Sequence, residues 1–307
     1  MREIKEIDGL EDRIHGFIDS GTQDLPIFGL VDLPTCKLAI SLTRLLAHSS
    51  PGEVVNTDNR EVFPLLPDGS IDLILTDPPY KNYRSNRPVA NPKLPPILES
   101  DFDIPFFLEQ SARVLKPGGH FYCWCDHRTF PGLVNELNRL RERSERQKCS
   151  QTSRLTVRPR RQAGHLTPLL EYRDCLIWVK NNHGPGNLKL WAPQHEFLLF
   201  ASKGKAQPLQ GGRKPNVLFK RNGKEIQFYK KISNYKFNHG TTKPVEILEM
   251  IIQAASEEGD LVLDPYAGSM STAEACIKTG RRYLMVELVQ AYYDTGMERI
   301  RRLREGG

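Results

Sequence analysis

The sequence has no long apolar run. A membrane-spanning helix needs about 20 consecutive apolar residues, and no window comes near that. The opening residues Met1-Arg2-Glu3-Ile4-Lys5-Glu6 also lack the apolar core of a signal peptide. Neither export nor membrane insertion is expected, which points to a cytoplasmic protein. Cysteine is sparse: Cys36, Cys123, Cys125, Cys149, Cys175 and Cys276 include no CxxC pair. They read as reduced core or loop thiols rather than as a disulfide framework. The 8 histidines have no metal-ligand spacing, so no metal is expected. Internal repeats and low-complexity tracts are absent as well.

What is present is 307 residues of ordinary globular composition, enough for one large α/β domain or two smaller ones. The net charge of +6 is modest but unevenly spread. Between Ser202 and His239 stand 10 basic residues, Lys203, Lys205, Arg213, Lys214, Lys220, Arg221, Lys224, Lys230, Lys231 and Lys236, against one acid, Glu225. Phe219, Phe228, Tyr229, Tyr235 and Phe237 are interleaved with them. A second run, Arg139 to Arg161, carries 9 basic residues against Glu142 and Glu145. Such runs are either solvated faces or grips for a polyanion.

Short apolar runs of the parallel-strand type alternate with helical patterns: Glu53-Val54-Val55, Ile71 to Leu75, His120 to Trp124, Asp260 to Leu263 and Tyr283 to Val286. That alternation predicts a doubly wound, mostly parallel α/β sheet. Helices are expected over Phe106 to Leu115, closed by Lys116-Pro117-Gly118-Gly119, and over Phe130 to Leu140. Cys175 to Val179 and Glu196 to Phe200 predict an antiparallel hairpin at the sheet edge. A further helix follows Pro244, with Thr242 as its expected cap and Pro244 in its first turn. The polar, basic stretches Leu140 to Leu170 and Ser202 to His239 lack clear periodicity and are expected to be loops or small excursions.

The most informative stretch is Asp77-Pro78-Pro79-Tyr80, at the end of Ile71-Asp72-Leu73-Ile74-Leu75-Thr76. The carboxyl edge of an open α/β sheet is where ligands bind. Two prolines fix φ and contribute no backbone donors, so the turn can hold a carboxylate, a backbone carbonyl and an aromatic ring in one rigid cluster. That cluster suits a planar base with an exocyclic amino group, two acceptors taking its N–H bonds while the ring stacks on its face. A plain surface turn after a buried strand would carry the same residues.

A second strand end, Asp264-Pro265-Tyr266-Ala267-Gly268-Ser269-Met270-Ser271-Thr272, runs through small residues into a helical stretch. Small residues there allow backbone N–H groups to approach a polar ligand. The next strand ends in Glu287, 23 residues after Asp264, where nucleotide-binding α/β folds grip a ribose hydroxyl pair. Asp58, ending the strand Val54-Val55, is placed to accept a bond from an adenine amino group. An ordinary βαβ turn is the competing reading of these residues.

Together these residues resemble the amino-group DNA methyltransferases, which methylate adenine N6 or cytosine N4 using S-adenosylmethionine. The resemblance runs from about Val54 to Arg301. It implies that Asp77, Pro78, Pro79 and Tyr80 are the catalytic motif. The family's cofactor loop is similar to Asp264, Pro265, Tyr266, Gly268 and Ser269, with Met270 standing where the family has its second glycine. His239-Gly240-Thr241-Thr242-Lys243-Pro244 is similar to the family segment that packs against the cofactor's methionine part, so Thr241, Lys243 and Pro244 are implied cofactor contacts alongside Asp58 and Glu287. Gln194-His195-Glu196 also resembles a family element. The catalytic motif precedes the cofactor loop, the permuted order of the family's β group.

That group implies a Rossmann-like fold with its target-recognition region between the His195-Glu196 strand and the Lys243-Pro244 segment. Residues 1–201 and 239–307 are then two parts of one catalytic domain, and 202–238 the recognition region. Lys203, Lys205, Arg213, Lys214, Lys220, Arg221, Lys230 and Lys231 are the expected grips on double-stranded DNA. Relatives in this group are often homodimers. An acid in the first motif position points to adenine rather than cytosine N4. RNA adenine methylation and a catalytically silent DNA-binding protein are the remaining alternatives, the latter prompted by Met270.

Overall fold

Strands that are apolar on both faces have to lie inside a sheet covered on both sides, and this chain builds such a sheet at its centre. The computed structural model describes residues 33–79, 102–152, 169–181, 189, 191–192, 194–222, 225–230 and 242–306, with the backbone alone for 33–36, 147–152, 221–222 and 225–226. Two compact units are present, residues 1–50 and 51–307. In the first, helix α1 (Leu33–Leu46) closes with the Ala47 amide donating to the Thr43 carbonyl at 2.9 Å.

The second unit holds strands β1 (Gly52–Val55), β2 (Ile71–Thr76), β3 (Leu115–Cys125), β4 (Leu170–Val179), β5 (His195–Lys203), β6 (Val217–Leu218), β7 (Lys220–Asn222), β8 (Glu225–Gln227), β9 (Leu261–Asp264) and β10 (Arg282–Val286). Its helices are α2 (Asn59–Val62), α3 (Ile104–Val114), α4 (Thr129–Thr152), α5 (Val245–Ala255), α6 (Ser271–Lys278) and α7 (Gln290–Glu305). Eight strands form one sheet in the order β1-β10-β9-β2-β3-β5-β4-β6, and β7 pairs with β8 in a separate ribbon. From β1 to β3 neighbours are parallel, while β5 is antiparallel to both β3 and β4. The predicted mostly parallel sheet with an antiparallel hairpin is therefore present, with β6 added beyond β4. Strand order reverses between β9 and β2, the switch point at which ligands bind in such sheets.

One face of the sheet packs Leu73, Leu75, Tyr122, Trp124, Val262 and Met285 with Ile247, Leu248, Ile251 and Ile252 of α5. Elsewhere Phe107 of α3 meets Phe121, ring centroids 5.6 Å apart. Gly52 lets the Tyr283 ring lie across β1, since a Cβ there would sit 2.3 Å from the ring.

Three local expectations change. Lys116-Pro117-Gly118-Gly119 does not close α3 by a free turn: Asp103 caps the helix start, Leu115 its end, and the Pro-Gly stretch becomes the bulged start of β3. Helix α4 runs past Leu140 to Thr152, because Arg139 pairs with Glu136 at 2.7 Å, Arg143 with Glu109 of α3 at 3.1 Å and Arg146 with Glu142 at 3.7 Å. Pairs at this spacing support a polar helix that has no long apolar stripe, so part of the first basic run is a solvated helix face. Pro244, not Thr242, occupies the cap position of α5.

Candidate active site

Four carboxyl ends of parallel strands meet at the switch point, and each delivers a side chain singled out in the sequence. Strand β2 is buried along its length and ends in Thr76, so Asp77 emerges at the rim. Pro78 and Pro79 follow, and Tyr80 lies outside the described residues.

The Asp77 carboxylate accepts a hydrogen bond from the Lys243 ammonium. Lys243 also lies 3.1 Å from Glu196, which in turn pairs with Lys180 at 2.6 Å. The Lys243 side chain is 4% exposed, and its Nζ stands 5.3 Å from the centre of the Trp124 ring. Burial works against the ammonium, but the Asp77 and Glu196 carboxylates outweigh it and hold its pKa above the usual lysine value. Burial likewise pushes Glu196 up, while Lys243 and Lys180 overcome this and keep the carboxylate ionised. Lys243, expected on the cofactor side, is thus turned to two carboxylates. Glu196, Lys180 and Trp124 were not among the expected site residues. The resemblance of Gln194-His195-Glu196 to a family element was the only signal for Glu196.

Across the switch point, Asp264 ends β9. It accepts the hydroxyls of Thr76 and Thr272, both at 2.7 Å, and the Tyr266 amide at 3.1 Å. Those bonds tie β2, β9 and α6 together. Burial is still the dominant influence and raises the Asp264 pKa to about 6. A folded-state pKa above the unfolded one means that the folded protein binds the proton more tightly, so ionised Asp264 weakens the fold above pH 6 and the cost is relieved as pH falls toward 4. We expect the stability of the cofactor-free wild type to rise relative to Asp264→Asn as pH is lowered through this window. Thermal melts of both proteins from pH 7 to pH 4 check this, and curves that stay parallel refute it.

The Asp264 loop is rigidly supported. The Pro265 carbonyl accepts Asn59 Nδ2 at 3.1 Å, and the Tyr266 ring meets Phe102 and Phe107 edge-on at 5.8 and 5.6 Å. Burial pushes the Tyr266 hydroxyl up to about 12. Gly268 takes φ +53° and donates its amide to Glu287 at 2.7 Å. The Ser269 hydroxyl meets that of Thr242 at 3.2 Å, which is the role Thr242 has here in place of capping. The Ser269 carbonyl accepts Arg299 Nη1 at 3.0 Å.

Met270 has φ +60°, a left-handed conformation that glycine adopts without strain and methionine does not. Its side chain is fully buried against Gly296 of α7, where an added Cβ would fall 2.1 Å from the Met270 Cγ. Met270 therefore fills core under α7. Gly296→Ala is expected to cost about 1–3 kcal/mol through overpacking. Adding Met270→Ala should offset part of that loss, although Met270→Ala alone is destabilising. Chemical denaturation of the four proteins tests the pair, and strict additivity refutes the contact.

Glu287 follows β10 directly, is 8% exposed, and accepts the amides of Gly268 at 2.7 Å and Val289 at 2.8 Å. Burial raises its pKa despite those bonds, and among the described residues no cation pairs with it. Asn56 Nδ2 donates to the Glu287 carbonyl at 2.8 Å, joining the ends of β1 and β10. Asp58 caps α2 by accepting the Arg60 amide at 2.9 Å, and stays partly exposed beside this rim.

The expected DNA grips do not stay together. Lys203 is 3% exposed and donates to the carbonyls of Arg113 at 3.1 Å and Leu115 at 2.6 Å. It is a scaffold residue at the amino end of β3. Lys205 is exposed, but it lies beside Gly118 on that same far rim. Arg213 and Lys214 are exposed next to Asp174 and Asn216. Lys220 pairs with Glu246 in the first turn of α5 and sits 5.2 Å from the Tyr229 ring, on the rim that carries Asp77. Lys230 is exposed one residue further on, Arg221 is described by its backbone in β7, and Lys231 and Thr241 lie outside the described residues.

Residues 71–298 match a family described as DNA methylase. Over 247 residues the chain is 27% identical to the DNA adenine methyltransferase YhdJ of Escherichia coli (strain K12), covering 76% of this chain and 78% of that protein. The type II methyltransferase M.HhaII of Haemophilus parahaemolyticus is 24% identical over 258 residues, covering 80% of this chain and 96% of the relative. Among solved structures, the M1.HpyAVI–SAM complex superposes with a TM-score of 0.54 at 24% identity, over 80% of this chain and 98% of that one. The cytosine-N4-specific PvuII DNA methyltransferase gives 0.52 at 18% identity, over 81% and 86%.

Proposed function

We propose that this chain, which belongs to the amino-group DNA methylase family, transfers a methyl group from S-adenosylmethionine to the N6 amino group of adenine in double-stranded DNA. The observation that carries the reading is Asp77, an acceptor paired with the Lys243 ammonium on a proline-stiffened strand end, across the switch point from the cofactor-type loop of Asp264.

The residues present fit the cofactor. Glu287 is a buried carboxylate that accepts backbone amides on both oxygens and has no cation beside it among the described residues, so it retains acceptor capacity suited to a ribose hydroxyl pair. Asp58 and the loop from Asp264 to Ser269 complete that wall. When bound, S-adenosylmethionine supplies an electrophilic methyl group on a sulfonium.

The chain's own residues supply the rest. An exocyclic amine is a poor nucleophile because its lone pair is delocalised into the ring. Asp77 and the Pro78 carbonyl accept its two N–H bonds and draw the nitrogen toward tetrahedral geometry, which localises that pair. Tyr80 stacks on the flipped base. After transfer the nitrogen is strongly acidic, and Asp77 or water takes the proton without needing an unusually basic carboxylate. Basic residues of the interval 202–238, the exposed Lys230 and the half-buried Lys220 among them, grip phosphates.

Cytosine N4 is the second reading, favoured by the specificity of the PvuII neighbour. The acid at position 77 and the adenine specificity named for YhdJ favour adenine. Mass spectrometry of nucleosides from DNA of a methylation-free host expressing the chain decides between them. N6-methyladenine is expected, N4-methylcytosine overturns the choice of base, and the absence of both overturns DNA methylation.

A further inference from the structure

Asp77 is held from outside its own strand. Its carboxylate follows β2, Lys243 lies just before α5, Glu196 is the second residue of β5, opposite Trp178 of β4, and Lys180 follows β4. The four charges alternate in sign along a chain of contacts: Asp77 with Lys243, Lys243 with Glu196 at 3.1 Å, and Glu196 with Lys180 at 2.6 Å. The hairpin closes around this chain, with the Lys180 amide donating to the Gln194 carbonyl at 2.8 Å and Gln194 Nε2 to the Lys180 carbonyl at 2.9 Å. Trp124 of β3 stands beside the Lys243 ammonium.

We propose that Lys243 and Glu196 are positioning residues for Asp77, a clamp anchored by Lys180 that keeps the catalytic carboxylate aimed and charged before a base enters. Among the described residues, Asp264 from β9 is a further carboxyl group that feels Asp77, while the buried Cys123 and Cys125 thiols of β3 are held protonated and add no charge. With the Lys243 ammonium removed, burial and the Asp264 carboxyl both act toward the protonated form of Asp77, which can accept fewer bonds from an amine. An ammonium bonded to Asp77 alone would be free to follow it. Glu196 fixes the ammonium from the other side, so one orientation of Asp77 is selected. As the amino group arrives, Asp77 can accept its N–H while Lys243 stays with Glu196.

The inference rests on the methyl-transfer reading, and its tests separate the two. Lys243→Met is expected to lower kcat about 10- to 100-fold, the scale of a misaimed catalytic group, with the KM for S-adenosylmethionine nearly unchanged. Its pH–rate profile should move its acid limb to higher pH, because Asp77 then faces Glu196 with no cation between them. Glu196→Gln should move that limb the opposite way, since it removes the negative charge that shares the Lys243 ammonium with Asp77. Lys243→Arg, which keeps the charge, should recover part of the rate. A raised KM with kcat and the limb unchanged would make Lys243 a cofactor contact and overturn the proposal.

Thermal melts of the cofactor-free Lys243→Met, Asp77→Asn and double variants require no activity. The double variant should lose less than the sum of the two single losses, and additive losses overturn the clamp. If the wild type methylates no DNA, the functional reading fails while the melts still decide the clamp.

Discussion

Asp77→Ala should reduce methyl transfer about a thousandfold or more while DNA affinity is kept or slightly raised. The rate loss comes chiefly from the missing acceptor that aims and polarises the amino group, on the scale of about 100- to 1000-fold, with the proton then left to water alone. DNA affinity is spared because Asp77 contributes a negative charge to a rim that has to receive a polyanion. Its removal leaves the Lys243 ammonium still paired with Glu196. Asp77→Asn should fall between the two, since its carbonyl oxygen still accepts one N–H. Single-turnover rates on methyl-free DNA, read beside fluorescence-anisotropy titrations at fixed salt, test this order. An Asp77→Ala protein with near wild-type rate would remove Asp77 from the chemistry, and loss of DNA binding in step with rate would make its role structural.

The second large effect is expected at Glu287. Hydrogen bonds to a charged acceptor contribute about 1.5–3 kcal/mol each, so losing a ribose hydroxyl pair should weaken S-adenosylmethionine about 100-fold or more. In Glu287→Gln one side-chain oxygen becomes an NH2, which is directed at a backbone N–H, either that of Gly268 or that of Val289. The loop is then strained as well, and the cofactor-free protein should melt lower. Calorimetric titration gives the affinity, and the thermal shift on adding the cofactor should shrink with it. A Glu287→Gln protein that binds S-adenosylmethionine like the wild type would overturn the ribose assignment, while Asp77→Ala should retain cofactor binding in the same assay.

Elements whose cause is local were legible in the residues. Ile71 to Leu75, Leu261 to Leu263 and Tyr283 to Val286 read as buried parallel strands because both of their faces are apolar, and they are so in the sheet. Asp77, Asp264 and Glu287 could be singled out because each ends such a strand, and strand ends define the rim. Helix α4 outruns its apolar pattern because residues 141–152 carry no apolar stripe and are supported by ion pairs such as Arg141 with Glu145 and Arg146 with Glu142. The two-residue β6 was invisible, since its reason for being a strand is β4 and not its own sequence. Lys203 was misassigned because a positive charge in a basic run does not reveal that its ammonium is buried on two carbonyls of another segment. Met270 raised the doubt that the cofactor loop was spoiled, and it took Gly296, on a different helix, to account for it.

By itself the sequence determined the alternating α/β architecture, the order of the motifs and the acid that ends each critical strand. These follow from apolar periodicity, Pro and Gly turn chemistry and spacing, all of which are written in contiguous residues. Only the tertiary structure decided which charges meet. Asp77 and Lys243 are 166 positions apart, and Thr76 and Asp264 are 188 apart. Burial, which raises one carboxylate and lets an ammonium hold another ionised, is a property of how segments pack, and no single segment carries it.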